Sequence, residues 1–502
     1  MKKTFLIIFL LFFVINLRCE ISKSEADLKL FLDEKEKLFE DISIQMGIAT
    51  WNIYSGEDVS DTKTPRLRYL SLFTDEELNN NITTWYKNIN EIKDPVLKRR
   101  IEVWNNVLLG AKIDFDKDIF PLEDQLEKWV AGDNSEGDKP SDEEINSLIL
   151  ELMKRRNAKA IEFGYKNYAE LQFLLSDIDI NYFQEIVKQV DNLTKEPYIH
   201  FLDKIKKEDN KQEISGLDIR KLIGTAYRNK FSALIPNEKL DSLINLTFNN
   251  IGIDYHSLPI RFVEKDIPFG GNGLAIKIPT DFRIVVKTNQ PINVYMHELG
   301  HGLQGVFTKT EHPILKGYEW CLGNTCPAFS EGIAETIAKM TDNKVWKNNI
   351  LELNDNEIVK KDSAFNKYAA VYLRYHLYAI TLEIELYKNL DKDPNLIRDS
   401  LYNHFLFAKD AFNSKFNYAD FATYISYPVY LHNYFLADII SCQVHNALKK
   451  EFGEDYVTNK NVGSFITEKL LEQGELVRWK DKVIKMTGKD LDIKEFLKQY
   501  DL

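Results

Sequence analysis

Apolar residues recur at three- and four-residue intervals along most of this chain, and that period leaves the α-helix as its dominant element. Leu28, Phe31, Leu32, Leu38, Phe39, Ile42, Met46 and Ala49 trace one helical face. Ser24, with Asp27 three residues on, stands where a helix N-terminus needs a side-chain acceptor. The same spacing returns around residues 96–110, 143–172, 180–206, 238–250, 364–389 and 430–450. One stretch breaks the rule. Residues 258–288 hold short β-rich runs, Ile260 to Val263, Leu274 to Ile278 and Phe282 to Val286, punctuated by Gly270-Gly271 and Pro279. The pattern predicts a mainly α protein with one small antiparallel β-sheet. That sheet leads into a helix whose first turn tolerates Pro291. "AGDNSEGDKPSDEE" (131–144) has turn formers and acids without an apolar period, an exposed loop and not a domain boundary. Residues 20–502 therefore read as a single domain.

The 502 residues are 44% hydrophobic, 12% aromatic and 28% charged, enough to build a sizeable core. The net charge is -12, and no basic run interleaved with aromatics occurs, which excludes nucleic acid as the expected partner. Lys2 and Lys3 precede an almost wholly apolar run from Phe5 to Ile15. Residues 1–19 thus read as a secretory signal, and the chain as an exported protein of the periplasm or cell envelope. Cys19 stands where a lipoprotein cysteine would, although Arg18 occupies a position that usually takes a small residue. Lipid anchoring at Cys19 and release as a soluble protein both stay open. No second long apolar run exists to cross a membrane. Cys321 and Cys326 either close a small disulfide loop or remain two free thiols, and Cys442 reads as a small core residue.

"NVYMHELGHGLQ" (293–304) places His297 and His301 four apart. On a helix they differ by about 40° in azimuth and project from one face, where two imidazoles can share a Zn²⁺. Glu298, about 100° round from His297, is free to take a proton from an attacking water. "AFSEGIAETIA" (328–338) is a second helical stretch with Glu331 and Glu335 again four apart. One carboxylate can complete a His₂Glu site with an open fourth position, and the other can hold a ligand imidazole in orientation. Glu331 is assigned as the ligand and Glu335 as the orienting group. Further on, Tyr427, Tyr430 and Tyr434 fall at i, i+3 and i+7, with His432 nearby. Aromatic packing accounts for such a stripe as readily as an oxyanion donor does.

These stretches resemble the angiotensin-converting enzyme family of zinc peptidases, and more distantly the thimet oligopeptidase group. The resemblance rests on Asp281-Phe282-Arg283-Ile284 before the His-Glu-x-Gly-His core, the core itself, and the Phe-x-Glu stretch after it. "RRNAKAIEFGYKNYAEL" (155–171) and "WNIYSG" (51–56) are similar to helical signatures of the same group. It implies a two-lobed helical fold with a deep channel and zinc at its floor. It also implies cleavage of short peptides, often with release of C-terminal dipeptides, with Glu331 as third ligand and Glu335 supporting a ligand. The chain departs from the family in several places, among them the absence of clear counterparts for an upstream substrate-binding lysine and histidine. The gap between His301 and Glu331 is longer; Gly270-Gly271-Asn272 stands where the family has a substrate-binding His-Ala-Ser; and His432-Asn433 replaces an arginine that helps bind chloride.

The expectation is a peptidase with one Zn²⁺ on His297, His301 and Glu331, and Glu298 as general base. Tyr434 carries the oxyanion, assisted by His432 or Tyr430. Peptide would lie along an edge strand between Gly270 and Val286, with Gly270, Gly271, Asn272 and Tyr430 contacting it. Endopeptidase or carboxypeptidase action on the same scaffold is the rival mode, and a non-catalytic zinc-containing peptide-binding protein the rival class. Mn²⁺ or Co²⁺ in the site stays open.

Overall fold

The computed structural model describes residues 21–57, 63–130, 140–230, 237–267, 269–408, 412, 415–420 and 423–500. The signal segment, residues 1–19, lies outside the described residues, as does most of the 131–144 loop.

The first helix begins where its cap predicts. Ser24 is extended, its hydroxyl accepts from the Asp27 amide at 3.2 Å, and α1 (Glu25–Ser55) runs to Gly56, whose φ of 72° ends it. Leu28, Leu32, Phe39 and Ile42 are buried, whereas Leu38 turns to solvent. Ten residues on a helix rotate it away from the face of Leu28, and Gly47 and Trp51 continue the buried stripe instead. α2 (Pro95–Asp114) starts on an Asp94 cap with proline at its first position. α3 (Asp142–Glu162) starts on a reciprocal Ser141–Glu144 capping box. α4 (Tyr168–Leu175) and α5 (Ile180–Glu208) follow.

The β-rich stretch forms β1 (Ile260–Lys265), β2 (Gly271–Lys277) and β3 (Asp281–Lys287). The sheet is mixed, not antiparallel. Its order is β1-β3-β2, with β3 antiparallel to β2 and parallel to β1. Only residues 278–280 join β2 to β3, which forces those two antiparallel. β1 and β2 are not neighbours, and β3 fills the gap between them in the direction of β1. Val286 therefore lies on the central strand, so the free edge next to Gly270 belongs to β2 alone.

From the sheet the chain enters α6 (Ile292–Phe307), with extended Pro291 directly before its first residue and no side-chain capping bond, and then α7 (Pro327–Ala338). α8 (Ala369–Lys388) and α9 (Leu431–Phe452) complete the set that surrounds the site. α7 packs between α6 and α9, and α6 also lies on β2 and β3. The buried apolar residues form two large clusters and a small one. The largest gathers residues of α3 to α9. The second joins α1 and α2 to the segment around Ile314, Leu315 and Tyr318, and the third centres on Trp51 and the sheet. No helix of the described residues is long and apolar enough to cross a membrane.

Candidate metal centre

Two four-residue spacings meet face to face. α6 presents His297 and His301, α7 presents Glu331, and one donor atom from each lies within 4.8 Å of the others. Such closeness requires the helix backbones to approach at Gly300, where an added Cβ would sit 2.5 Å from the Ala334 Cα. The glycine inside the His-Glu-x-Gly-His motif is thus a packing requirement of the site.

Each imidazole has its Nδ1 committed. His297 Nδ1 lies 3.3 Å from Glu335 Oε1, and Lys339 holds the other Glu335 oxygen at 3.5 Å. His301 Nδ1 is 2.9 Å from Ser330 Oγ and 3.3 Å from Glu319 Oε1, and Ser330 in turn donates to Glu319. This network holds a proton on each Nδ1 and turns both Nε2 atoms to the site, where they can donate lone pairs once a cation takes the place of the protons that the carboxylates draw. Both face Glu331 Oε2, at 3.2 Å for His297 and 3.8 Å for His301. Glu331 Oε1 accepts from the Tyr430 phenol at 2.9 Å, whereas buried Oε2 is close enough to the imidazoles for attraction but has no hydrogen-bond partner. A buried carboxylate oxygen without a donor, opposed to two imidazole nitrogens, is the donor set that a zinc ion fits.

The electrostatics follow from burial among carboxylates. Burial lowers the pKa of His297, but Glu331 and Glu335 outweigh it and hold the imidazole well above its ordinary value. His301 is likewise opposed by burial and carried to about 9, chiefly by Glu319. Without a cation between them, these groups draw protons to balance the carboxylates; a metal ion is the alternative counter-charge. Burial raises Glu298, the direction expected of a general base working near neutrality. Its side chain packs on β2, because a Cβ at Gly271 would fall 2.7 Å from Glu298 Cγ and 2.8 Å from Oε1. The expected substrate-contact segment is therefore beside the base. Gly270 O accepts from Lys287 N at 2.9 Å.

The tyrosine stripe survives with altered geometry. Only Tyr434 is in α9; Tyr427 and Tyr430 precede it, so the three do not share a helical face. Their rings still meet edge-on, at 5.8 Å for Tyr427–Tyr430 and 5.3 Å for Tyr430–Tyr434. Tyr430 is bound to Glu331, and Tyr434, 43% exposed, lies within the field of Glu331, Glu298 and Glu335. His432 is a correction. It is 1% exposed, stacked on Phe173 at 4.0 Å, and depressed to about 3 by burial. A helix turns about 100° per residue, so it points into the core while Tyr434 does not. Cys321 and Cys326 are both buried free thiols, and no disulfide joins them. Cys442 is buried as expected.

Glu319 is the participant that sequence reasoning missed. It lies between helices, in a segment without periodicity, and only the fold carries it to His301. Ser330, directly before the candidate ligand Glu331, was the available clue.

No protein-family model matches the chain, and no curated protein matches it in sequence. Solved structures do. Metallocarboxypeptidase 1 of Trypanosoma cruzi superposes with a TM-score of 0.64 at 12% identity, over 93% of this chain and 99% of that one. The carboxypeptidase of Pyrococcus furiosus gives 0.64 at 13%, over 96% and 99%. The M32 carboxypeptidase from Deinococcus radiodurans R1 gives 0.61 at 12%, over 95% and 99%. These are carboxypeptidases, not members of the converting-enzyme or thimet oligopeptidase groups that the motifs resemble. At such identities the likeness establishes the fold: this chain has, over nearly its whole length, the helical architecture of the metallocarboxypeptidases.

Proposed function

We propose that this protein is a zinc-dependent peptidase that trims short peptides from the C-terminus. The observation that carries the reading is Glu331 Oε2, buried without a donor opposite His297 Nε2 and His301 Nε2, with Glu298 packed alongside. His297, His301 and Glu331 would hold the ion. When bound, zinc supplies a Lewis acid that polarises a carbonyl and acidifies a water.

The chain's own groups do the rest. Glu298 takes the proton of the attacking water and returns it to the departing amine. Glu335 and Glu319 keep the Nδ1 protons in place, and Tyr430 fixes the plane of Glu331. Tyr434, more exposed than Tyr430, offers its phenol to the oxyanion. The free edge of β2 from Gly271 offers backbone groups to an extended peptide, which suits many sequences. Removal of single C-terminal residues is favoured because the fold is shared with proteins named carboxypeptidases. Release of dipeptides, which the motif resemblance implied, is the competing mode. Export, with or without lipid on Cys19, belongs to the same proposal and rests on Lys2, Lys3 and the apolar run after them.

The test compares wild type with Glu298→Gln on quenched peptides with free and blocked C-termini. Metal content is measured for both, and products are identified by mass spectrometry. Zinc in both proteins, with cleavage reduced by at least ~10²-fold in the variant, is expected. Zinc in both with cleavage by neither would leave a binding protein. Dipeptide products would restore the converting-enzyme mode.

A further inference from the structure

A cavity of about 260 Å³ shares a wall with the candidate metal group through Glu319 and Tyr430, and the hydrolytic scheme gives two of its other polar lining residues, Asp114 and Asn433, no role. That volume exceeds the ~150 Å³ that accommodates a benzene ring. Asp114, the last residue of α2, lines it, and no hydrogen bond or ion pair holds the carboxylate among the described residues. Asn433 lines it too, 1% exposed, with an Oδ1 that has no hydrogen-bond partner. Among the described residues that line it, Arg156 is the only cation and is already committed. It donates to Tyr424 O at 2.8 Å and Ile425 O at 2.6 Å, and pairs with Glu123 at 2.9 Å.

The cavity wall thus holds an unmet acceptor in Asn433 and, at Asp114, a carboxyl that burial and Glu123 raise to about 7, which a neighbouring cation would draw into its charged form. Trp320 and Leu322 supply apolar wall. An occupant that satisfies both has an aliphatic stem and a cationic, donor-rich head. We propose that this cavity binds the side chain of a lysine or arginine flanking the scissile bond, with Asp114 as counter-ion and Asn433 as acceptor. The inference rests on the hydrolytic reading of the neighbouring site.

The metal-loaded full chain is tested on matched peptides carrying lysine or norleucine, and arginine or citrulline, at each position flanking the cleaved bond. A preference for the cationic member of at least ~10-fold in kcat/KM is expected at one position. In Asp114→Asn the ratio should fall towards one. Calorimetry on the wild type, with n-butylguanidinium against n-butylurea, reads the same pocket without catalysis; binding of the cation alone is expected. Equal rates within every pair, together with equal binding of the two small molecules, would overturn the proposal. Cation-selective binding without cleavage of any peptide would leave the pocket standing and remove the hydrolytic reading instead.

Discussion

At Glu331 the two carboxylate oxygens have different surroundings: Oε1 receives the Tyr430 phenol, and Oε2 faces two imidazoles without a donor. That asymmetry orients one lone pair toward the position an ion would take. Gly271 does comparable positioning work for Glu298, since any side chain there meets the carboxylate. Gly271→Ala should keep the metal while kcat falls by up to ~10²-fold, the cost of a displaced catalytic group. Atomic absorption and steady-state kinetics on one preparation check it. His432 shows what a buried, unused histidine does. Its folded pKa of about 3 lies below its ordinary 6.5, so it is neutral in both states above pH 6.5 and adds no pH dependence there. As pH falls from 6.5 to 3 the unfolded chain takes up a proton that the folded chain refuses, and stability is lost, on the order of 5 kcal/mol in all. His432→Leu should flatten that acid dependence, as seen by urea unfolding at pH 7 and pH 4. An equal loss of stability between those pH values in both proteins would refute the assignment.

Among the elements, α6 and α7 act as one unit. Each carries a carboxylate or imidazole pair at i and i+4, and the pairs coincide only if the axes come unusually close at Gly300 and Ala334. A methyl group at Gly300 must separate the helices, so Gly300→Ala should cost about 1–3 kcal/mol and weaken zinc binding together. Chemical denaturation and competition with a chelating dye measure the two effects. Unchanged affinity would mean that the helices move apart without moving the ligands. The sheet is set by a different balance. β3 is covered on both sides, with Ile284, Val285 and Val286 all buried, while β2 keeps the free edge beside Glu298. The run of apolar residues in β3 reads as a central strand in hindsight.

For the molecule as a whole, the candidate metal centre draws together parts of the chain that are far apart. Tyr430 and Glu331 are separated by 99 residues, and Glu319 reaches His301 from the segment between two helices. Zinc bound only by the folded chain adds stability by mass action, about 4 kcal/mol at a thousandfold excess over Kd. Removing it with a chelator should lower the melting temperature, and adding zinc should restore it, which calorimetry can follow. An unchanged melting temperature on verified metal loss would argue against the site. Much of this was legible beforehand. The helices, the three strand positions, the Ser24 cap, both i, i+4 pairs and the place of Glu298 are local patterns, read within one or two turns of backbone. What only the tertiary structure decided is which of those local faces meet. It set β3 between its neighbours, turned His432 into the core, kept Cys321 and Cys326 apart as thiols, and brought Glu319, Asp114 and Asn433 to the walls of one cavity. Periodicity records the direction of a side chain from its own helix, and contacts across tens or hundreds of residues depend on packing that no local period encodes.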